Sequence, residues 1–493
     1  MAGTEKNSIM KYVHIAIALS LMFVWGNVIP APYPMTEVGM QVLMIFAGVV
    51  YSWMFIGFLW PTLLGLVAIG LSGFVTASTM NGVWSASFGG SVPMLLLFSM
   101  ILFGNVEEVG ATKYITRFFL TRKALNGRPI VFAALFFFAT YALSLAVNVT
   151  PSLLLMWAVL YGILKDLGYK KGEKFTNFMI VGTFLGAISG QATLPFTGST
   201  LAIINSFDTA IYNITGASDN LPYIPYIILG LLISIIGIVG YAVFMKIVCK
   251  KEDLAKVANI NTDMFTKDPL PPMNLIQKIN FYSMFVFMFM LLAPDFLPES
   301  WWLTQTLGKM APAGVAIFLI AILCILKVKG EPVFDFPVVA KKYINWDVYV
   351  MVAGAMYMGS ALTNEATGVT QWMVVVFEPI LGGHSPFMFF AIMLIFGIVA
   401  TTFASSLVIG VAIMPILVYF GIQSGANVQA VTAITTLLIH YQIILPSASV
   451  FAAMLWGNDE WITPKEVFKH AAFLVIFATA VSFILIPLAN LLF

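Results

Sequence analysis

Apolar segments separated by short polar connections run along almost the whole chain. A transmembrane helix needs about 20 apolar residues, and several of these segments are shorter than that. The pattern predicts an all-α polytopic membrane protein with room for roughly ten to twelve spans. The apolar segments cover residues 13–29, 39–56, 58–76, 92–104, 130–147, 152–164, 178–196, 222–245, 279–295, 312–326, 347–362, 385–403, 406–420, 431–455 and 471–492.

Two pairs of short apolar segments are separated by only a few residues. Residues 130–147 precede 152–164, and residues 385–403 precede 406–420. This spacing predicts helices interrupted near the middle of the membrane instead of two full crossings each. An interrupted helix exposes backbone N–H and C=O groups inside the membrane, so each break is a candidate binding site.

The two halves of the chain resemble each other. Residues 108–114 (EVGATKY) are similar to residues 366–372 (ATGVTQW) at an offset of 258, and the same offset pairs Asn148 with Ser406. Residues 191–195 (QATLP) match residues 442–446 (QIILP) at an offset of 251. An odd number of spans per repeat would invert the second half, so we predict two inverted repeats with broken helices and re-entrant hairpins.

A long polar stretch divides the chain nearly in half and predicts its organisation. We expect an N-terminal span and connection (1–38), a first repeat (39–248), a cytoplasmic linker (249–278) and a second repeat (279–493). Residues 107–128 separate aromatic from basic side chains, which predicts an interfacial helix before the broken helix and hairpin. Lys and Arg cluster near 113–128, 165–174, 246–278 and 327–342, so these loops should face the cytoplasm. The first apolar segment has no cleavage site, and we expect a multi-pass protein of a bacterial plasma (inner) membrane.

Composition narrows the functional class. Hydrophobic residues make up 60% of the chain and charged residues 9%, whereas about a quarter of the residues in soluble domains are charged. The net charge of +2 provides no field that would attract nucleic acid. The sequence has no HExxH, GxSxG, Walker or Rossmann motif, so we expect no enzymatic activity and no organic cofactor. A transporter or a channel remains.

The first break, residues 144–152 (SLAVNVTPS), combines polar residues with a helix-start signal. Thr150 is a good N-cap and Pro151 a good first helical residue, so a new helix can begin inside the membrane. Its N–H groups and positive dipole end favour an anion, and the carbonyls that end the preceding helix suit a small cation. The alternative is a proline kink healed by neighbouring helices.

Hydroxyl side chains dominate the second break and the turn that follows each break. Residues 401–406 (TTFASS) offer oxygen ligands for sodium and donors for a carboxylate, although Ser and Thr also permit close helix packing. Residues 195–200 (PFTGST) and 446–449 (PSAS) are expected to be hairpin tips, unwound helix centres or ordinary loops. His440 is the exceptional ionisable residue inside an apolar segment, with either a ligand or proton-linked role or a structural hydrogen bond.

Residues near the C-terminus carry a family resemblance. The segments 445–449 (LPSAS), 457–458 (GN) and 461–466 (WITPKE) resemble the exit of the second hairpin in the divalent-anion:sodium symporter (DASS, INDY-type) family. In that family a Ser-Asn-Thr motif in each repeat binds a substrate carboxylate and borders a sodium site. The matching positions are residues 147–149 (VNV) and 405–407 (SSL), where Asn148 and Ser405 keep the family residue.

The resemblance implies a sodium-coupled secondary transporter of a small organic anion, a di- or monocarboxylate. It further implies a homodimer in which a transport domain moves against a scaffold domain like an elevator. Alternatives are a sodium-independent anion exchanger, a carrier of a larger apolar acid and, last, an anion channel. The expected substrate-binding residues are Asn148, Thr150, Thr197, Ser199, Thr200, Ser405, Ser406, Ser447 and Ser449. The expected sodium ligands are Ser144, Asn148, Gly198, Thr401, Ala404, Ser406 and Ala448.

Overall fold

The computed structural model describes residues 2–74, 80–122, 127–147, 149–196, 198–259, 271–298, 300–403 and 405–493. Within these ranges eleven helices are long and apolar enough to cross a membrane, and the fold is that of an all-α polytopic membrane protein. One two-residue hairpin, β1 (Lys327–Val328) with β2 (Glu331–Pro332), accompanies the helices. The expected fold class is confirmed.

The helices of the first half are α1 (Ala2–Ser20), a π-helical turn (Leu21–Trp25), α2 (Gly26–Val28), α3 (Glu37–Phe55), α4 (Leu59–Leu71), α5 (Met80–Phe88), α6 (Ser91–Glu108), α7 (Thr112–Leu120), α8 (Pro129–Ala146), α9 (Val149–Asp166), α10 (Lys174–Thr193), α11 (Gly198–Thr215), α12 (Tyr223–Val248) and α13 (Lys251–Leu254). Those of the second half are α14 (Leu275–Phe296), α15 (Trp302–Ile325), α16 (Phe336–Tyr343), α17 (Trp346–Thr363), α18 (Val369–Leu381), α19 (Pro386–Phe403), α20 (Ser406–Ser424), α21 (Val428–Ile439), α22 (Val450–Trp456) and α23 (Pro464–Leu492). Short 3-10 turns occupy Val257–Asn259, Glu365–Thr367 and Pro446–Ala448.

The basic connections lie together on one face of the molecule, which we call the basic face. Hydrogen bonds and ion pairs join them across large sequence distances. By contrast, the connections 29–36, 216–222, 364–368, 382–385 and 425–427 contain no Lys or Arg in the sequence. The contacts on the basic face are Lys256 with Glu173 (2.9 Å), Lys165 with Glu460 (3.3 Å), Lys342 with Glu108 (2.7 Å), Tyr114 with the Pro271 carbonyl (2.8 Å) and Gln277 with the Val109 carbonyl (2.9 Å).

Helices α8 and α9 form a hairpin that enters from the basic face and returns to it. Gly168 lies just after the end of α9, and its carbonyl accepts a hydrogen bond from Lys256 at 2.9 Å. Just before α8 begins, a Cβ at Gly127 would lie 3.8 Å from the carbonyl oxygen of Ala258. Both ends therefore lie beside the same short segment, and the turn between α8 and α9 is the tip inside the protein.

Helices α10 and α11 instead run from the basic face to the opposite face through an interruption. At the start of α10, Lys174 pairs with Asp253 at 3.5 Å on the basic face. Near the end of α11, Asn213 donates to the Thr363 hydroxyl at the far end of α17, at 2.9 Å. The first break is thus a hairpin tip, and the turn after α10 lies within a continuing crossing.

The second half repeats this arrangement in the opposite direction. A Cβ at Gly421, near the end of α20, would lie 3.3 Å from the Phe389 ring near the start of α19, so these helices also form a hairpin. Gln429 at the start of α21 donates to Asp219 on the opposite face at 2.9 Å. Asn458, which follows α22, donates to the Tyr161 hydroxyl near the basic face at 2.7 Å. Helices α21 and α22 therefore cross in the reverse sense to α10 and α11.

The helix bounds also refine the register between the halves. Helices α8 and α19 each have 18 residues, and their first residues, Pro129 and Pro386, are 257 positions apart. Helices α9 and α20 begin with the same separation. In the alignment of the two repeats, position 148 is thus equivalent to position 405, and not to 406 as the sequence comparison suggested. The reason is that the segments preceding the two hairpins differ by one residue in length.

A ridge of glycines brings α8 and α10 into close contact. Gly182, Gly186 and Gly190 recur every four residues, so they share one face of α10. A Cβ at Gly186 would overlap the Phe137 carbonyl oxygen, and one at Gly190 would lie 2.7 Å from that of Tyr141. The backbone of α8 thus rests directly on α10, which fixes the hairpin tip against the interruption that follows α10.

We expect Gly186→Ala to destabilise the protein, because the added methyl group meets backbone atoms that cannot rotate away. Overpacking of this kind costs about 1–3 kcal/mol. Thermal unfolding of the detergent-solubilised protein measures the effect. The matched control is Gly162→Ala in α9, where the new Cβ meets open space. Equal melting temperatures for the two variants would contradict the close packing of α8 on α10.

Candidate functional site

A cavity of about 1040 Å³ lies where the two hairpin tips meet the two interrupted crossings. It reaches the surface on the basic face, beside Lys342 at the end of α16 and Trp346 at the start of α17. One wall is mostly apolar and comes from α3, α6 and α17. The other comes from the breaks and holds most of the polar residues of the cavity, so we call it the polar wall, although apolar residues such as Leu407 and Phe451 also line it. The apolar wall includes Trp53, Met54, Leu96, Met100, Phe103 and Met351, and the polar wall includes Ser144, Thr150, Gln191, Ser199, Ser405, Ser406, Gln442 and Ser449.

Helix N-termini converge on the polar wall. Helices α9, α11 and α20 begin at Val149, Gly198 and Ser406, and the first residues of all three line the cavity. Each helix start carries roughly half a positive charge and N–H groups without partners inside the helix. Three positive helix ends facing one space make it favourable for an anion.

Most of the residues expected to bind substrate or sodium lie on this wall. The hydroxyls of Thr150, Ser199, Ser405 and Ser449 border the cavity, together with Ser406. Ser405 is the N-cap residue of α20, but its side chain does not cap the helix. Of the expected sodium ligands, Ser144, Gly198, Ser406 and Ala448 border the same cavity. The residues of both repeats are thus within one space, although they are up to 305 positions apart in the sequence.

Other expected residues lie behind the wall or outside the described ranges. Thr200 is fully buried and contacts His440. Thr401 is fully buried below the second tip, where its hydroxyl donates to the Gly397 carbonyl at 2.9 Å. Ser447 belongs to the turn Pro446–Ala448. Asn148, Thr197 and Ala404 lie outside the residues that the structure describes.

His440 connects the two interrupted crossings. Its Nδ1 lies 2.7 Å from the Thr436 carbonyl, which can only accept, so Nδ1 carries the proton. Its Nε2 then accepts from the hydroxyls of Ser199 at 3.0 Å and Thr200 at 3.2 Å. The side chain is 4% exposed. His440 therefore holds the start of α11 against the end of α21, directly behind the cavity wall.

Gln442 holds the second hairpin tip. The Ser406 N–H donates to Gln442 Oε1 at 2.6 Å, and Gln442 Nε2 donates to the Ser406 hydroxyl at 2.9 Å. The corresponding residue of the first half, Gln191, donates instead to Ser199 at 3.5 Å. The two related glutamines thus make different contacts.

Charged side chains stand at the mouth of the cavity. Lys342, Glu107 and Asp347 line it there. Glu108 accepts from Lys342 at 2.7 Å and from the Tyr343 hydroxyl at 2.9 Å. Hydrogen bonding to Glu108 and Tyr343 raises the pKa of Lys342 above its usual value, and burial raises the pKa of Tyr343 to about 12. Lys342 therefore stays positively charged at the entrance.

Sequence reasoning missed the mouth and the role of Gln442. The motif Gln-x-x-Leu-Pro was visible in both halves, but its partner Ser406 is 36 residues away and only the fold joins them. The mouth residues Lys342 and Asp347 lie near the end of α16 and in the first turn of α17, positions that periodicity alone does not associate with either break. The Gly-x-x-x-Gly spacing in α10 was a readable signal for the packing behind the site.

We expect Val450→Cys, in a chain with Cys249→Ser and Cys324→Ser, to react with a charged, membrane-impermeant thiol reagent. Val450 lines the cavity and is 59% exposed. The control is Val431→Cys in α21, because Val431 is fully buried. Labelling of oriented vesicles should occur when the reagent is on the side of the basic face. Labelling from the opposite side alone would show that the cavity opens there.

Comparison with known proteins assigns the family. A search of curated proteins found no match. A family model described as citrate transporter (CitMHS) matches residues 15–440, which include both hairpins and the first interrupted crossing. Membership of the symporter family that the sequence resembled remains a prediction. Because the match covers most of the chain, the protein belongs to the citrate transporter (CitMHS) family of membrane transporters.

Proposed function

We propose that this protein is a secondary active transporter of citrate-type carboxylates, with its substrate site on the polar wall of the cavity. The observation that carries the proposal is the convergence of three helix starts and four bordering hydroxyls on one space. Transport, and not enzymatic activity, is what the family assignment implies.

A carboxylate suits this wall because it accepts hydrogen bonds only. The N–H groups at the start of α11 and the hydroxyls of Thr150 and Ser405 are able to donate to it. The Ser199 hydroxyl instead donates to His440, and the Ser406 N–H donates to Gln442. Hydrogen bonds to a charged group are about twice as strong as neutral ones, and the helix ends strengthen them further. Lys342 at the entrance is placed to attract an anion towards the cavity.

The composition of the two cavity walls supports alternating access by an elevator-type movement. The hairpin tips and interrupted crossings supply the polar wall, whereas α3, α6 and α17 supply the apolar wall. An apolar wall makes few directional contacts with the substrate. The hairpins and interrupted crossings can therefore slide past it with the substrate bound. In this proposal, α8–α11 and α19–α22 belong to the moving transport domain, and the helices of the apolar wall belong to the scaffold.

We also propose that sodium couples transport. Ser144 and Ser406 line the cavity together with the residues proposed to bind the substrate, and hydroxyl and carbonyl oxygens are the ligands that hard cations prefer. A sodium ion there would offset the charge of the anion next to it. The proposed protein is a homodimer in a bacterial plasma (inner) membrane, with the basic face towards the cytoplasm.

We expect Thr150→Ala and Ser405→Ala each to raise the KM for citrate at least tenfold. Loss of one hydrogen bond to a charged group costs about 1.5–3 kcal/mol. Uptake of radiolabelled citrate into proteoliposomes measures the effect. The control is Thr479→Ala in α23, whose hydroxyl donates to Val475 within its own helix. Saturable uptake with an unchanged KM in both cavity variants would place the substrate elsewhere.

We expect citrate uptake to require an inward sodium gradient if the breaks bind a coupling cation. Uptake is compared in proteoliposomes with sodium, potassium or choline outside, each with and without citrate inside. Uptake that needs external sodium supports symport. Uptake that is independent of sodium but requires internal citrate would contradict symport and indicate anion exchange. A flux that does not saturate would indicate a channel.

A further inference from the structure

The cavity ends, on the side away from the basic face, where α11 packs against α17. Met351 in the first half of α17 lines the cavity of about 1040 Å³. Ala355, one turn further along, is 1% exposed and lines a void of only about 10 Å³ between α17, α11 and α20. The helices are therefore closed against each other on this side. We call this contact the α11–α17 seam, and its principal residues are Ser206, Asn213, Ala355, Gly359 and Thr363.

One hydrogen bond crosses the seam. Asn213 Nδ2 donates to the Thr363 hydroxyl at 2.9 Å, and the structure, which describes every residue of α11 and α17, shows no second hydrogen bond between these helices. The Thr363 hydroxyl donates in turn to the Gly359 carbonyl at 3.1 Å, so its oxygen is left to accept from Asn213. Because both partners are neutral, this bond is weaker than one to a charged group and can break and re-form.

The two sides of the seam belong to different bodies. On one side, the Ser206 hydroxyl of α11 donates to the Val411 carbonyl of α20 at 3.0 Å, which joins the first interrupted crossing to the second hairpin. On the other side, a Cβ at Gly354 of α17 would overlap the methyl group of Thr62, so α17 rests closely on α4. The bond across the seam thus joins the proposed transport domain to the proposed scaffold.

The equivalent helices of the other repeat are apart. Helices α6 and α17 each have 18 residues, and each precedes a short helix and a hairpin. Helices α22 and α11 each follow the interruption of a crossing. Gly104 of α6 and Val450 of α22 both line the cavity that opens on the basic face. In inverted repeats the two pairs exchange roles, so access from the opposite face requires α11 to part from α17.

We propose that the α11–α17 seam is the gate of the opposite face, and that the Asn213–Thr363 hydrogen bond is the latch that holds this gate closed. This rests on the proposed transport by alternating access. The bond forms only while the seam is closed, so its loss shifts the equilibrium towards the open gate. Removal of the Asn213 amide leaves the Thr363 hydroxyl paired with Gly359, so no buried donor loses its partner.

The test measures how often the seam opens. Ala355→Cys, in a chain with Cys249→Ser and Cys324→Ser, reports opening through its reaction with a charged, membrane-impermeant maleimide added on the side of the opposite face. We expect Asn213→Ala to raise the labelling rate about fivefold, as loss of a neutral hydrogen bond predicts. Thr363→Val should have the same effect, whereas Thr363→Ser keeps the hydroxyl and should label at the parent rate.

Matched controls separate the latch from a general loosening of α11. Asn205→Ala removes an amide from the same helix, but that amide donates to the Leu201 carbonyl within α11, so labelling should not change. Melting temperature and size-exclusion elution check that the variants fold. An Asn213→Ala rate equal to that of the parent overturns the inference. An increase that Asn205→Ala shares overturns it as well.

Crosslinking shows whether the seam must part during transport. In the same cysteine-free chain carrying Asn213→Cys and Thr363→Cys, a short crosslinker that forms disulfides should stop citrate uptake, and a reductant should restore it. Uptake that continues with the crosslink in place would show that α11 and α17 stay together, and the gate would be wrong.

The labelling rates also distinguish this inference from the proposed function. If the parent takes up no citrate, the proposed transport activity fails. The rates need no substrate and still decide the role of the Asn213–Thr363 bond. A fivefold rise in Asn213→Ala alone supports the latch, and equal rates overturn it. If the parent takes up citrate and the rates are equal, only the latch is overturned.

Discussion

The close packing of α8 on the glycine face of α10 is the contact on which the rest of the site depends. Only residues without a Cβ at Gly182, Gly186 and Gly190 allow the α8 backbone to approach so closely. Ser144, one turn before the tip, then donates to the Ala187 carbonyl at 2.7 Å. This interhelical bond holds the first tip at the depth of the interruption after α10, so the helix starts of α9 and α11 face one cavity.

The proposed anion site follows from this placement of helix starts. A buried Lys or Arg would be costly to desolvate in a membrane protein. Helix ends and hydroxyls divide the attraction among several partial charges that need no desolvation of an ion. The full positive charge of Lys342 stays at the mouth, where water and Glu108 surround it.

The sequence predicted the all-α membrane fold and the location of both breaks, because long apolar segments and their polar interruptions are local signals. A helix start was predicted at the first break for the same reason, but α9 begins at Val149, so Thr150 is its second residue and not its N-cap. The apolar segment predicted from residue 406 does begin a helix at Ser406. Local signals do not tell a hairpin tip from an interrupted crossing, since both are polar breaks between short apolar helices. Contacts between distant segments, such as Lys256 with Gly168, are needed to make that distinction.

The unequal contacts of the two related glutamines show why repeat symmetry is an incomplete guide to a binding site. Gln191 and Gln442 occupy equivalent sequence positions, yet the first contacts its own crossing and the second contacts the opposing hairpin. A sequence repeat therefore predicts which residues of the two halves are related, and only the fold shows what each of them contacts.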